Sequence, residues 1–143
     1  ESGSTTNEQK ATTEKNQATP ESSRMKTILI AEDTDSNYLL VYTLLKKEYD
    51  VKRACNGVEA IEMHKAYHPD IILMDMKMPD MDGFTATRKI REFDTEIPII
   101  AVTAFAFDQD RQKAIQAGCN DYMSKPISRE LLKEMIKKWA LRR

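Results

Sequence analysis

Three unbroken apolar runs govern what this chain can fold into: Ile28-Leu29-Ile30-Ala31, Ile71-Ile72-Leu73-Met74 and Ile99-Ile100-Ala101-Val102. Polar residues do not alternate with apolar ones in them. Each run therefore predicts a strand covered on both faces, the pattern of a parallel sheet with helices on either side. Weaker strands are expected at 50–54 (Asp50-Val51-Lys52-Arg53-Ala54) and at 119–123. Helical stripes fill the intervals: Leu40, Val41, Leu44 and Leu45; Val58 and Ile61, opened by Asn56-Gly57; Phe84, Thr87 and Ile90; Ala114 and Ile115, ended by Gly118. The last stripe is Leu131, Leu132, Met135, Ile136 and Trp139, with Ser128 as its N-cap. Strand and helix thus alternate throughout, which predicts an α/β domain with a parallel sheet.

What stands at the strand ends is the chemical signal. The first run ends in Glu32-Asp33, the second in Asp75, the third in Thr103-Ala104, and Lys125-Pro126 follows the last strand. Ligand sites of open parallel sheets lie beyond the carboxyl ends of the strands, where the strand order reverses. A carboxylate leaving an apolar strand is costly to bury unless it is paired, hydrogen-bonded or bound to a metal. Asp33 and Asp75 can ligate a magnesium ion directly, Glu32 can reach it through a water, and the Lys77 carbonyl can join them; Mn2+ could substitute. Asp75 is then a carboxylate nucleophile for a phosphoryl group. Lys125, the Thr103 hydroxyl and the Ala104 backbone amide would receive the phosphoryl oxygens. Pro126 is a candidate cis proline that would aim Lys125 inward.

Composition excludes several alternatives. Lys+Arg 22 against Asp+Glu 23 leaves a net charge of -1, which gives no basic surface for nucleic acid or membrane. The sequence shows neither an apolar stretch of membrane-spanning length nor a signal-peptide pattern. Cys55 and Cys119 have no metal or disulfide spacing and are expected as half-buried thiols of a reducing cytosol. Residues 1–24 contain no Val, Ile, Leu, Met or aromatic side chain, so they predict a disordered polar linker ahead of a folded unit at 25–143. The start at Glu1 predicts a piece of a longer polypeptide.

From Lys26 to about Leu141 the chain resembles the receiver domain of two-component response regulators. The matching stretches are Ile-Ala-Glu-Asp at 30–33, Met-Asp-Met-Lys-Met-Pro-Asp-Met-Asp-Gly at 74–83, Ala-Val-Thr-Ala at 101–104 and Ser-Lys-Pro at 124–126. The resemblance implies a flavodoxin-like, doubly wound, five-stranded sheet in the order 2-1-3-4-5. It implies transfer of phosphate from a histidine kinase or histidine phosphotransfer domain to Asp75. It further implies a switch in which Thr103 moves toward the phosphoryl group and Tyr122 turns inward. The face of the fourth helix, fifth strand and fifth helix would report that change and could support a homodimer. Lys77 and Phe105 occupy the positions that in this family tune phosphoryl lifetime. Neither offers an amide or carboxylate to orient water, so slow self-dephosphorylation is expected. Glu32 stands where an Asp is more usual, a change expected to be tolerated.

Competing motifs fall away on inspection. Asp33-Thr34-Asp35-Ser36-Asn37 begins like a calcium loop, but Tyr38 stands at the glycine position and Leu44 at the final glutamate. His68-Pro69-Asp70 matches a co-chaperone tripeptide, yet precedes a strand and reads as a helix-ending loop. His64 is placed on a polar helix face, without the context of a phosphoacceptor histidine. Asn37 falls on the first helix near the mouth of the site, where it could help a partner dock. The polar segment ahead of the domain and the Glu-Asp-x-x-x-Asn spacing favour the C-terminal receiver of a hybrid sensor histidine kinase. A free-standing regulator is the alternative, and a partner-binding pseudo-receiver the third reading. A cytoplasmic location is expected for the domain, whether or not its parent protein is membrane-anchored.

Overall fold

The computed structural model describes residues 25–104 and 108–140. Five strands alternate with five helices: β1 (Thr27–Ala31), α1 (Asp35–Leu45), β2 (Asp50–Ala54), α2 (Gly57–Tyr67), β3 (Ile71–Asp75), α3 (Gly83–Arg91), β4 (Ile99–Thr103), α4 (Asp108–Ala117), β5 (Asp121–Ser124) and α5 (Arg129–Ala140). All strands are parallel, in the order β2-β1-β3-β4-β5. The order reverses between β1 and β3, so the crevice for a ligand opens at their carboxyl ends.

Alternation of side chains divides the core into two layers. Leu29, Ala31, Ile72, Met74, Ile99 and Ala101 face α2, α3 and α4, where they meet Ala60, Ala86, Ile90 and Ala114. Ile28, Ile30, Ile71, Leu73, Ile100, Val102 and Met123 face α1 and α5, against Val41, Leu45, Leu132, Ile136 and Ala140. The expected apolar runs form the central strands, and β2 matches its expected range. The last strand starts at Asp121, two residues later than expected, because Asn120 turns its side-chain oxygen to the Ile99 amide (2.9 Å).

The helical stripes need correction in detail. In α1 the buried pair is Val41 and Leu45, spaced one turn apart, while Leu39 and Leu40 are 59% and 48% exposed. Val58, Ile115 and Leu131 also point outward. In α2 the fully buried positions are Gly57, Ala60 and His64, and the expected Ile61 packs half-buried against the same core. His64 is therefore buried rather than on a polar face. Its Nε2 lies 2.8 Å from Asp94 Oδ2, beside the Phe93 ring. The cysteines divide: Cys119 is buried and Cys55 exposed, so neither is half-buried. Burial pushes the Cys119 thiol up to about 11, against the Thr87 hydroxyl and the Arg91 charge, which favour the thiolate.

Caps fix the helix starts. Asn56 accepts from the Glu59 amide at 2.8 Å, Asp82 from the Thr85 amide at 2.8 Å, and Ser128 Oγ from the Leu131 amide at 3.3 Å. Gly118 ends α4 with φ +119°, a conformation that L side chains rarely adopt. His68 ends α2 in the left-handed region, and the Asp70 carboxylate accepts from the Thr27 amide (2.8 Å). That loop has the helix-ending form expected of it.

Candidate functional site

Main-chain register sets the site. Ala31 pairs with Met74, which puts Glu32 level with Asp75 across the switch point. Asp75 pairs with Val102, so Thr103 stands one residue further out, and Thr103 in turn pairs with Ser124, just before Lys125. The Lys125 amide donates to the Thr103 carbonyl at 2.7 Å, and the Lys125–Pro126 peptide is cis, as expected. A cleft of about 350 Å³ results, lined by Asp33, Asp75, Lys77, Thr103, Ala104 and Lys125, with Phe84, Asp110 and Lys113 at its rim.

Glu32 and Asp75 are 4% and 5% exposed, and both are tied to one cation. The Lys125 ammonium lies 3.1 Å from Glu32 Oε1 and 3.1 Å from Asp75 Oδ2. The other Asp75 oxygen accepts from the Lys77 amide at 3.1 Å, and Glu32 Oε2 accepts from the Thr34 amide at 3.1 Å. Burial pushes the Glu32 carboxyl above its ordinary 4.5, and the Asp75 charge adds to the rise against the Thr34 amide and Lys125. Burial alone would lower the Lys125 ammonium, but the Asp75 and Glu32 carboxylates outweigh it and hold the group above its ordinary 10.5.

Oxygen atoms of Glu32, Asp33 and Asp75 lie within 4.8 Å of one another, the one such acidic trio among the described residues. An all-oxygen donor set, two of its members buried and one facing the opening, fits a hard divalent cation. The structure thus brings together Glu32, Asp33, Asp75, Lys77, Thr103, Ala104 and Lys125. Tyr122 lies apart on β5, half-buried against the α2–α4 side of the sheet, with the Arg111 guanidinium 5.3 Å from its ring centroid. Phe105 lies outside the described residues.

Some groups around the cleft carry no sequence signal. The Thr34 amide belongs to the backbone. Phe84 and Lys113, whose ammonium lies 4.8 Å from the ring, come from separate helices. Arg53 reaches over from β2 to the Glu32 carbonyl with Nε at 3.1 Å and Nη2 at 3.0 Å. Gly83 is also positional: a Cβ there would overlap the Asp75 carbonyl oxygen and lie 2.9 Å from Met76 Cα. The motif stretch at 74–83 contains this glycine, but its reason is the close seat of α3 on the end of β3.

A doubly wound parallel sheet with an acidic trio and a lysine at its switch point defines the class of open α/β domains whose crevice lies at the strand ends. Within that class the family is specific: the profile of the response regulator receiver domain matches residues 28–137, and this chain belongs to that family as the receiver domain of a two-component response regulator. The polar-differentiation response regulator DivK of Brucella anthropi is 38% identical over 117 residues, spanning 80% of this chain and 95% of that protein. Among solved structures, the receiver domain of sensor histidine kinase PA1611 from Pseudomonas aeruginosa, with a magnesium ion coordinated in its active-site cleft, is similar at TM-score 0.76 and 36% identity. That match covers 82% of this chain and 98% of that one. A chain from the co-crystal of the Saccharomyces cerevisiae histidine phosphotransfer protein Ypd1 with the receiver domain of Ssk1 is similar at TM-score 0.78 and 31% identity. It covers 82% and 90% of the two chains.

Proposed function

We propose that this domain accepts a phosphoryl group from a phosphohistidine onto Asp75 and acts as a phosphorylation-driven switch. The observation that carries the reading is the Asp75 carboxylate, buried at the switch point, held by Lys125 and within reach of Glu32 and Asp33. Glu32, Asp33, Asp75 and the Lys77 carbonyl would hold Mg2+, with Glu32 acting through water. The magnesium site of the PA1611 receiver supports this assignment. Once bound, the ion would supply positive charge against the phosphoryl oxygens.

In the transfer, one Asp75 oxygen forms the new P–O bond while the P–N bond to the donor imidazole breaks, its electron pair leaving on the ring nitrogen. Lys125 exchanges a carboxylate partner for a phosphoryl oxygen, and the Thr103 hydroxyl and Ala104 amide donate to the others. Movement of Thr103 leaves room for Tyr122 to turn inward, and the α4–β5–α5 face reports the change to a partner or a second copy. The side-chain chemistry of Lys77 and Phe105 includes neither an amide nor a carboxylate to orient water, so the acyl phosphate persists well beyond minutes.

The donor is a histidine kinase or histidine phosphotransfer domain, a reading that the Ypd1 complex of a similar receiver supports. In the parent protein, residues 1–24 form a polar linker and 25–143 the receiver of a hybrid sensor kinase. A free-standing cytoplasmic regulator is the second reading, favoured by the DivK match over 95% of that protein. No helix among the described residues is long and apolar enough to cross a membrane.

Intact mass after treatment with acetyl phosphate and Mg2+ tests the chemistry. A gain of about 80 Da, absent in Asp75→Asn and with a chelator, is the expected result. No gain with either acetyl phosphate or a phosphohistidine donor would make the domain a partner-binding pseudo-receiver. Decay of the adduct in the same sample reads its lifetime.

A further inference from the structure

We propose that Arg53 is a positioning residue that fixes the β1–α1 loop so that Asp33 faces the cation. The inference rests on the reading of Glu32, Asp33 and Asp75 as a divalent-cation site. The last ladder bond between β1 and β2 runs from the Glu32 amide to the Ala54 carbonyl at 2.9 Å. Beyond it the Glu32 carbonyl turns to a side chain: Arg53 Nε and Nη2 both donate to this oxygen, at 3.1 and 3.0 Å. The same guanidinium gives Nη1 to Asp35 Oδ1 at 2.8 Å and lies 4.7 Å from the centroid of the Tyr38 ring.

These partners bracket Asp33 in the chain, Glu32 before it and Asp35 and Tyr38 after it. Asp33 itself is exposed, so burial in the core does not set its position. A cation ligand displaced by even a fraction of an ångström loses affinity, which is why groups that orient ligands without touching the ion matter. The Asp35 contact is 92% exposed at its carboxylate and adds little. The weight falls on the forked donation to the Glu32 carbonyl and on the stacked ring. Lysine supplies the same charge but neither the planar fork nor the stacking face.

The test is Mg2+ affinity of the full chain by calorimetric titration, with thermal unfolding of the same samples. The variants are Arg53→Ala, Arg53→Lys and, as a control for charge on the same strand, Lys52→Ala, whose ammonium contacts Asp50 and the Tyr67 ring instead. Both Arg53 variants should weaken Mg2+ binding by about tenfold, with Lys52→Ala within about twofold of wild type. Phosphorylation by acetyl phosphate should recover in the Arg53 variants at saturating Mg2+. A lower unfolding midpoint with unchanged Mg2+ affinity would make Arg53 a structural clamp and overturn the proposal alone. Full Mg2+ affinity in Arg53→Lys would overturn the fork argument. Wild-type protein that binds no Mg2+ would overturn the cation reading and this proposal together.

Discussion

At the scale of the residue, His64 and Asp94 show what a polar group inside a helix interface requires. Asp94 accepts from the Glu96 and Ile97 amides at 2.8 and 3.1 Å and from His64 at 2.8 Å. Burial would raise its carboxyl, but these amides and His64 outweigh it and hold the group below its ordinary 3.8. A depressed carboxylate stabilises the fold above its unfolded value, and that contribution disappears as pH falls through the folded one. Asp94→Ala should therefore be clearly less stable than wild type in urea at neutral pH. The gap should narrow as pH drops below 3.8, and a constant gap down to acid pH would count against the account. The sequence alone placed His64 on a polar helix face. Its burial became visible only through its partner thirty residues away. The candidate residues Glu32, Asp33, Asp75 and Thr103 were visible in the sequence because each stands at the end of an apolar run, a local signal, and Lys125 through the Ser-Lys-Pro after the last strand. Arg53 was not, since nothing near it in the sequence marks the carbonyl that it meets.

Among the elements, the joint between β3 and α3 is the tightest near the chemistry. The Gly83 amide donates to the Met76 carbonyl at 3.1 Å, and the Asp82 carboxylate caps the helix that follows. The loop between them is drawn to α2 by the Gly57 amide on the Met81 carbonyl (3.0 Å) and by Asn56 on Asp80 (3.3 Å). Asp80 sits in the left-handed region at φ +67°. Gly83→Ala must push α3 or the end of β3 aside, at a cost of about 1–3 kcal/mol. Urea unfolding should show that loss, and acetyl phosphate labelling of Asp75 should slow. Unaltered stability would mean that the joint yields easily. That five helices alternate with the strands was legible from caps and stripes, but their facing directions were less so. In α1 tertiary packing buries Val41 and Leu45, keeps Leu44 half-buried against the same layer and leaves Leu40 exposed.

For the molecule as a whole, the sheet is shared between both core layers. Ile72 and Leu73 are neighbours on β3 with opposite faces, and each is at most 1% exposed. Truncation of either to alanine should cost about 2–5 kcal/mol. Since both layers rest on the same five strands, circular dichroism and Trp139 fluorescence should report one common transition in each variant. Separate transitions by the two probes would indicate layers that melt independently.

Register has a further consequence, for where this polypeptide can change length. Glu32, Asp75, Thr103 and Lys125 come from four strands, and their spacing is read off by the pairing of Ala31 with Met74, Asp75 with Val102 and Thr103 with Ser124. One codon gained or lost within β1, β3, β4 or β5 would shift the frame of that pairing and turn every later side chain of the strand to the opposite face. The same change in the turns at the far edge of the sheet would leave the frame intact. Length variation compatible with the chemistry is thus confined to one end of the domain, and the strands act as a ruler whose zero mark is the cleft.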